Sequence, residues 1–125
     1  MQPKKAVRRF EDLYVWQLGI ELVKRVYMLT DTGQLRRDFG LRDQMRRASV
    51  SIPTNIAEGF ERYSRKEYLL FLNIAKGSAG ELRSLCRVAL EVSYINESTH
   101  IELRELVTKL SASLQRQMKS IRSIP

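Results

Sequence analysis

Between Ser64 and Tyr94, apolar or small residues recur at Tyr68, Leu72, Ala75, Ala79, Leu82, Cys86, Ala89 and Ser93. The steps alternate four and three, the rhythm of one face of a long α-helix. Ser64 stands at its start with Glu67 three residues on. At that spacing the serine hydroxyl can cap the Glu67 amide while the glutamate reaches back to the Ser64 amide. No proline interrupts the run, and at about 1.5 Å per residue the rod is roughly 45 Å long. A single helix cannot bury its own stripe, so the other segments are expected to supply the partner surfaces.

Three further patterns do so. From Phe10 the run Leu13, Trp16, Ile20, Val23, Tyr27 predicts a helix that stops at the turn-like Thr30-Asp31-Thr32-Gly33. Gly19 lies inside it, where a close helix contact would explain its cost. A polar linker is expected up to about Gly40. Leu41, Met45, Ala48, Ile52 and Ile56 form the next stripe, which contains Pro53. Proline removes one helical hydrogen bond and crowds the Ser49 carbonyl, so the helix either breaks near Ser51 or continues with a kink. The stripe stays in phase across Pro53, which favours continuation, with Gly59 as the stop. A last helix is expected from Ser98 or Thr99, with Leu103, Leu106, Leu110, Leu114 and Ile121 as its stripe. No segment alternates convincingly like a strand. The expectation is an all-α fold, an antiparallel up-down four-helix bundle over 10–125 with a basic arm at 1–9. Within the long third helix, Gly77, Ser78, Ala79 and Gly80 make a small-residue waist suited to close approach by another helix or subunit.

Composition narrows the class. At 125 residues the chain fits one domain, and 43% apolar content is globular. No apolar run is long enough to cross a membrane, and Arg8, Arg9, Glu11 and Asp12 occupy the place of a signal core. With one cysteine, Cys86, no internal disulfide forms, and the chain reads as cytoplasmic. The net charge of +8 is unevenly spread. Lys4, Lys5, Arg8 and Arg9 precede the first acid, and Lys109, Arg116, Lys119 and Arg122 follow the last one. The stretch between sums to zero. The excess therefore becomes a patch if the fold brings the two ends together.

Three stretches resemble a known family. They are Phe10-Glu11-Asp12-Leu13-Tyr14-Val15-Trp16-Gln17, the run Leu41 to Gly59 containing Ser51-Ile52-Pro53-Thr54-Asn55-Ile56-Ala57-Glu58-Gly59, and Ser64 to Glu67 followed by Phe71 to Leu82. They are similar to the signatures of the four-helix-bundle proteins first noticed in intervening sequences of bacterial 23S ribosomal RNA genes. Relatives include the accessory variability determinant of diversity-generating retroelements. The resemblance covers residues 10–95; the last helix matches only in pattern. It implies a homopentameric barrel around a channel and, for the accessory-determinant branch, binding of nucleic acid and of a reverse transcriptase.

Catalysis is hard to assemble from these residues. The one histidine, His100, is read as exposed and inert, and Cys86 as buried filler. No metal-ligand spacing and no phosphate loop is present, so no metal, cofactor or catalytic residue is expected. Arg47, Ser51, Asn55 and Glu58 share one side of a helix and are read as a hydrogen-bonded seam, with a small-molecule site as the weaker reading. The nucleic-acid reading rests on guanidinium groups, which match phosphate oxygens bidentately. Its residues are Arg8, Arg9, Arg46, Arg83, Arg87, Arg116 and Lys119. The competing reading gives these charges to solubility and helix ends. Together they suggest a non-enzymatic oligomeric scaffold that contacts RNA or DNA through phosphates, with a reverse transcriptase as partner in the accessory-determinant version. The alternative is a self-assembling bundle of unknown role.

Overall fold

The structure, a computed structural model, describes residues 7–125. Of the basic arm expected at 1–9, residues 1–6, with Lys4 and Lys5, lie outside the described residues. Those described form a 3-10 turn at Phe10–Asp12 and five α-helices with no strand among them: α1 Tyr14–Thr30, α2 Gly33–Arg37, α3 Phe39–Phe60, α4 Arg65–Glu91 and α5 Glu97–Arg122. Each long helix packs on the next, and α1 also packs on α5, closing the ring. Contacts between helix ends fix an antiparallel arrangement. The start of α4 meets the tail of α5 where Arg65 donates to the Ile124 and Pro125 carbonyls. The tail of α1 meets the start of α5 where Arg25 lies 3.5 Å from Glu102. Just beyond α4, Tyr94 donates to Asp38 at the head of α3, 3.0 Å away.

The core follows most of the stripes read from the sequence, with a phase error in α1; Leu41, Tyr68 and Leu106 are half-buried, and Ser93, beyond the end of α4, is exposed. Leu72, Ala75, Ala79, Leu82, Cys86 and Ala89 of α4 are buried, as are Met45, Ala48, Ile52 and Ile56 of α3. In α1, however, Val15, Leu18, Leu22 and Val26 face the core, and Tyr27 is exposed. The helix is apolar around most of its girth, so periodicity alone does not choose which line of residues turns inward. The segment read as polar linker up to Gly40 is also corrected. It contains α2, whose Leu35 is buried.

Helix α3 runs through Pro53 without a break. A Cβ on Gly19 would meet Pro53 side-chain atoms at 3.3 Å. The glycine of α1 and the proline of α3 are thus two sides of one close crossing. Gly59 is not the stop that was expected. The helix passes it and ends at Phe60, because Gly59 is a packing residue whose Cβ would lie 2.7 Å from Phe71 Cβ. Ser64 accepts from the Glu67 amide at 3.2 Å, so half of the expected capping box forms. The Glu67 carboxylate turns instead toward Arg62, 3.9 Å away. Helix α5 starts slightly earlier than expected because Asn96, not Ser98 or Thr99, caps it, accepting from the Thr99 amide at 2.8 Å.

Candidate nucleic-acid interface

The antiparallel pairing of α4 and α5 sets Arg83 and Arg87 opposite the first turns of α5. There they line an open cleft of about 450 Å³ together with Gly80, Ser84, His100 and Arg104. Arg83 and Arg87 stand one turn apart on α4, and His100 and Arg104 one turn apart on α5, so both helices present their cations to the same space. Three guanidiniums therefore converge on one cleft. Among the described residues Arg83 and Arg104 make no ion pair or side-chain hydrogen bond. Arg87 pairs with Glu91 at 2.7 Å, but both side chains are mostly exposed, and such a pair contributes little and exchanges easily. Guanidiniums held unpaired beside one another repel, and an anion between them removes that repulsion.

His100 corrects the sequence reading. It is buried, with only 5% of its surface exposed. It lies three and seven residues before Leu103 and Val107, both buried, and so heads the inner stripe of α5. Arg104 also belongs to the cleft and was missed. The signal for both was their phase: His100 is in step with the apolar line, and Arg104 follows it by four residues.

The other expected phosphate contacts are scattered. Arg46 is employed inside the fold: its Nε donates to Thr30 Oγ1 at 2.8 Å and its guanidinium lies 4.6 Å from the Tyr27 ring centre. Arg9 lies 3.6 Å from Asp12. Arg8 is exposed just before the 3-10 turn. Arg116 donates to Ser113 Oγ at 2.9 Å, and Lys119 is exposed. Lys109 lies 5.9 Å from the Tyr14 ring centre, so its side of α5 faces α1. Arg116 is seven residues on and shares that side. Residues 1–6, which carry Lys4 and Lys5, lie outside the described residues, and the C-terminal Ile124 and Pro125 carbonyls are held by Arg65 of α4. None of Arg8, Arg9, Arg46, Arg116 and Lys119 lines the Arg83–Arg87–Arg104 cleft.

The polar set on α3 divides. Ser51 Oγ shares a hydrogen bond with Ser78 Oγ of α4 at 2.8 Å, and Asn55 Nδ2 donates to the Ser51 carbonyl and hydroxyl at 2.7 and 2.9 Å. These residues tie α3 to α4 as a seam. Arg47 is exposed outside it, and Glu58 turns to Arg62 at 2.9 Å. Cys86 is buried filler as expected, its thiol pushed up to about 12 by burial. Among the described residues no cluster of histidine, cysteine and acids could hold a metal ion, and no helix is long and apolar enough to cross a membrane.

Comparison with known proteins adds the following. The family model of the 23S rRNA-intervening sequence protein matches residues 11–116. No curated protein matches the chain. Among solved structures, a protein of unknown function from the S23 ribosomal protein family of Bacteroides thetaiotaomicron superposes with a TM-score of 0.77 at 23% identity. The match covers 84% of this chain and 98% of that one, and it establishes a shared fold.

Proposed function

The chain belongs to the 23S rRNA-intervening sequence protein family, and from that premise we propose that it is a non-enzymatic, self-assembling scaffold that holds nucleic acid by its phosphates. The observation that carries this is the α4–α5 cleft, where Arg83, Arg87 and Arg104 converge and two of them are unpaired among the described residues. Diester phosphates present fixed negative charge at regular spacing, which such a cleft fits without reading bases. RNA or an RNA–DNA hybrid is the ligand class.

Self-association is supported by a second line of residues on α4. Leu70 and Ile74 are 55% and 42% exposed, and Gly77 follows three residues later on the same side. A Cβ on Gly77 or Gly80 would touch nothing within 4 Å, so neither glycine is required by packing inside one chain. Glycine in mid-helix costs about 1 kcal/mol against alanine. A second copy approaching closely at this face offsets that cost. A ring of five copies would repeat the cleft five times, so contacts that are weak singly would add. In the accessory-determinant version this assembly also presents a surface to a reverse transcriptase.

Binding of a labelled single-stranded RNA, followed over a salt series, tests the reading. Three phosphate contacts per engaged subunit predict a fall of about 20-fold between 50 and 200 mM salt. The Arg83→Glu, Arg87→Glu double variant should lose retention while keeping its helical signal and its sedimentation coefficient. A flat salt response, or unchanged binding by the double variant, overturns the proposal. The genomic neighbourhood separates the two versions. A reverse-transcriptase gene flanked by near-identical repeats favours the accessory-determinant role, and a surrounding rRNA gene favours the other.

A further inference from the structure

The three guanidiniums leave one member of the cleft without a task. His100 is 5% exposed and lines the same space as Arg83, Ser84, Arg87 and Arg104. Its ring makes no hydrogen bond among the described residues, yet no side-chain nitrogen there is both fully buried and unpartnered. The ring nitrogens therefore keep some contact with solvent. An apolar side chain could fill this position on the inner stripe with no polar group to satisfy. An imidazole instead takes this position and lines the cleft with the three guanidiniums.

We propose that His100 is a fourth phosphate-binding group and makes nucleic-acid binding pH-sensitive. The inference rests on the phosphate reading of this cleft. A neutral imidazole offers one donor and one acceptor, whereas the imidazolium offers two donors and a positive charge. A phosphate oxygen seated among the guanidiniums accepts from the ring and favours its charged form. A proton is taken from solvent onto the second ring nitrogen as the anion binds, and no covalent bond changes. Binding that takes up a proton is tighter at lower pH. The charged groups that line the cleft with His100 are Arg83 and Arg87 of α4 and Arg104 of α5. Glu91 stands beyond Arg87 and is held by it, and Glu97 lies one turn before His100 on α5. Helices α1 and α3 contribute no residue to the cleft lining. Histidine is the side chain that ordinarily changes charge between pH 5 and 8, and diester phosphates do not titrate in that range. His100 is the only histidine in the chain, so a pH dependence there has one principal candidate.

The test measures affinity for a fluorescein-labelled 20-nucleotide oligouridylate at pH 5.5 and 8.0, at constant ionic strength, for the full chain and for His100→Gln. Coupling to one proton over about one pH unit gives roughly tenfold tighter binding at pH 5.5. His100→Gln should lose the acid enhancement, its affinity changing less than about twofold between the two pH values. Equal affinity of the parent at both pH values, or a full acid enhancement retained by His100→Gln, overturns the inference while leaving phosphate binding intact. A second measurement uses the unaltered protein. With a single histidine, one ring carbon–proton signal reports His100, and added inorganic phosphate at fixed pH should shift it in the parent but not in the Arg83→Glu, Arg87→Glu variant. If the oligonucleotide fails to bind at either pH while the signal shifts, the nucleic-acid reading falls and the phosphate site stands. If the signal does not move, the histidine has no part in the site.

Discussion

Gly59 offers the sharpest check on how α3 and α4 are held. It lies within the last turn of α3, and a Cβ there would stand 2.7 Å from Phe71 Cβ, 3.1 Å from Tyr68 Cδ1 and 3.2 Å from the Tyr68 carbonyl oxygen. Carbon atoms in good contact lie about 3.5 Å apart or more. The shortfall against Phe71 is therefore close to 1 Å. Rotating side chains cannot relieve it, because Phe71 Cβ is fixed by its own backbone and the second obstacle is a backbone oxygen. The two helices are joined a few residues away through Glu61–Ser64 and cannot slide apart freely. Overpacking of this kind costs about 1–3 kcal/mol. Alanine in a helix returns at most about 1 kcal/mol relative to glycine. Gly59→Ala should thus destabilise the fold by about 1–2 kcal/mol. Unfolding entropy near 2.1 cal/mol/K per residue over the chain makes 1 kcal/mol worth about 4 °C, so Tm falls by about 4–8 °C. Gly40→Ala in the same helix is the control, since its Cβ would meet only Asp38 Oδ1 at an ordinary 3.7 Å. Thermal unfolding followed by circular dichroism reads both variants. A Gly59→Ala protein that melts at or above the parent refutes the argument that close approach of α3 and α4 requires this glycine.

Three further outcomes follow from the geometry. Ser93 closes α4 with φ of 65°, its amide donating to the Leu90 carbonyl and the Tyr94 amide to the Ala89 carbonyl, each at 2.9 Å. This is the Schellman arrangement, in which the left-handed position favours glycine; Ser93→Gly should raise Tm by a few degrees, corresponding to about 0.5–1 kcal/mol. The Ser51–Ser78 hydrogen bond should show a coupling of about 1 kcal/mol in a double-mutant cycle of alanine variants measured by urea unfolding, and additive variants would dissolve the seam. Stability should fall as pH rises above about 9. Burial pushes the Cys86 thiol up to about 12 and raises the Tyr68 phenol against the lowering effect of Gln117, while the Asp38 carboxylate raises Tyr94. In each case the unfolded chain ionises first, so stability present below the ordinary thiol and phenol range is lost above it. Urea midpoints at pH 8 and pH 10.5 check the sign, and a higher midpoint at pH 10.5 would contradict it.

Much of the fold was legible because three of the long stripes are narrow. The alternating steps of α3, α4 and α5 point one line of residues inward, and most of those residues are buried, while Leu41, Tyr68 and Leu106 are half-buried and Ser93 is exposed. Helix α1 was misphased because Val15, Leu18, Leu22 and Val26 run beside an equally apolar line of Trp16, Ile20 and Val23. Only the partner decides between them, and that partner is Pro53, which needs Gly19 opposite it. The short helix α2 was missed because its five residues carry one buried leucine, too little for a period. Gly59 looked like a stop because a glycine at the end of a pattern reads as a cap; the reason for it lies on α4, outside its own segment.

The site was legible in kind and not in place. Summing charge along the chain assigned the excess to the two ends and left residues 11–105 neutral. That sum is correct, and it hides the cleft. Six of the fourteen acids are committed to other cations: Glu58 and Glu67 stand beside Arg62, Glu21 and Glu102 beside Arg25, Asp43 beside Arg42 and Asp12 beside Arg9. At the cleft itself stand Glu91, in an exposed pair with Arg87, and Glu97, one turn before His100 on α5. Cancellation along the chain does not imply cancellation in space, because fields fall off over about 10 Å at ordinary salt while chain neighbours on a helix face different ways. Arg83 and Arg87 were found because they share one helix. Arg104 and His100 were not, because their relation to α4 exists only once α5 has packed against it. A neutral stretch of sequence has in this way folded so that three guanidiniums, two of them unpaired among the described residues, line one cleft with the single imidazole of the chain.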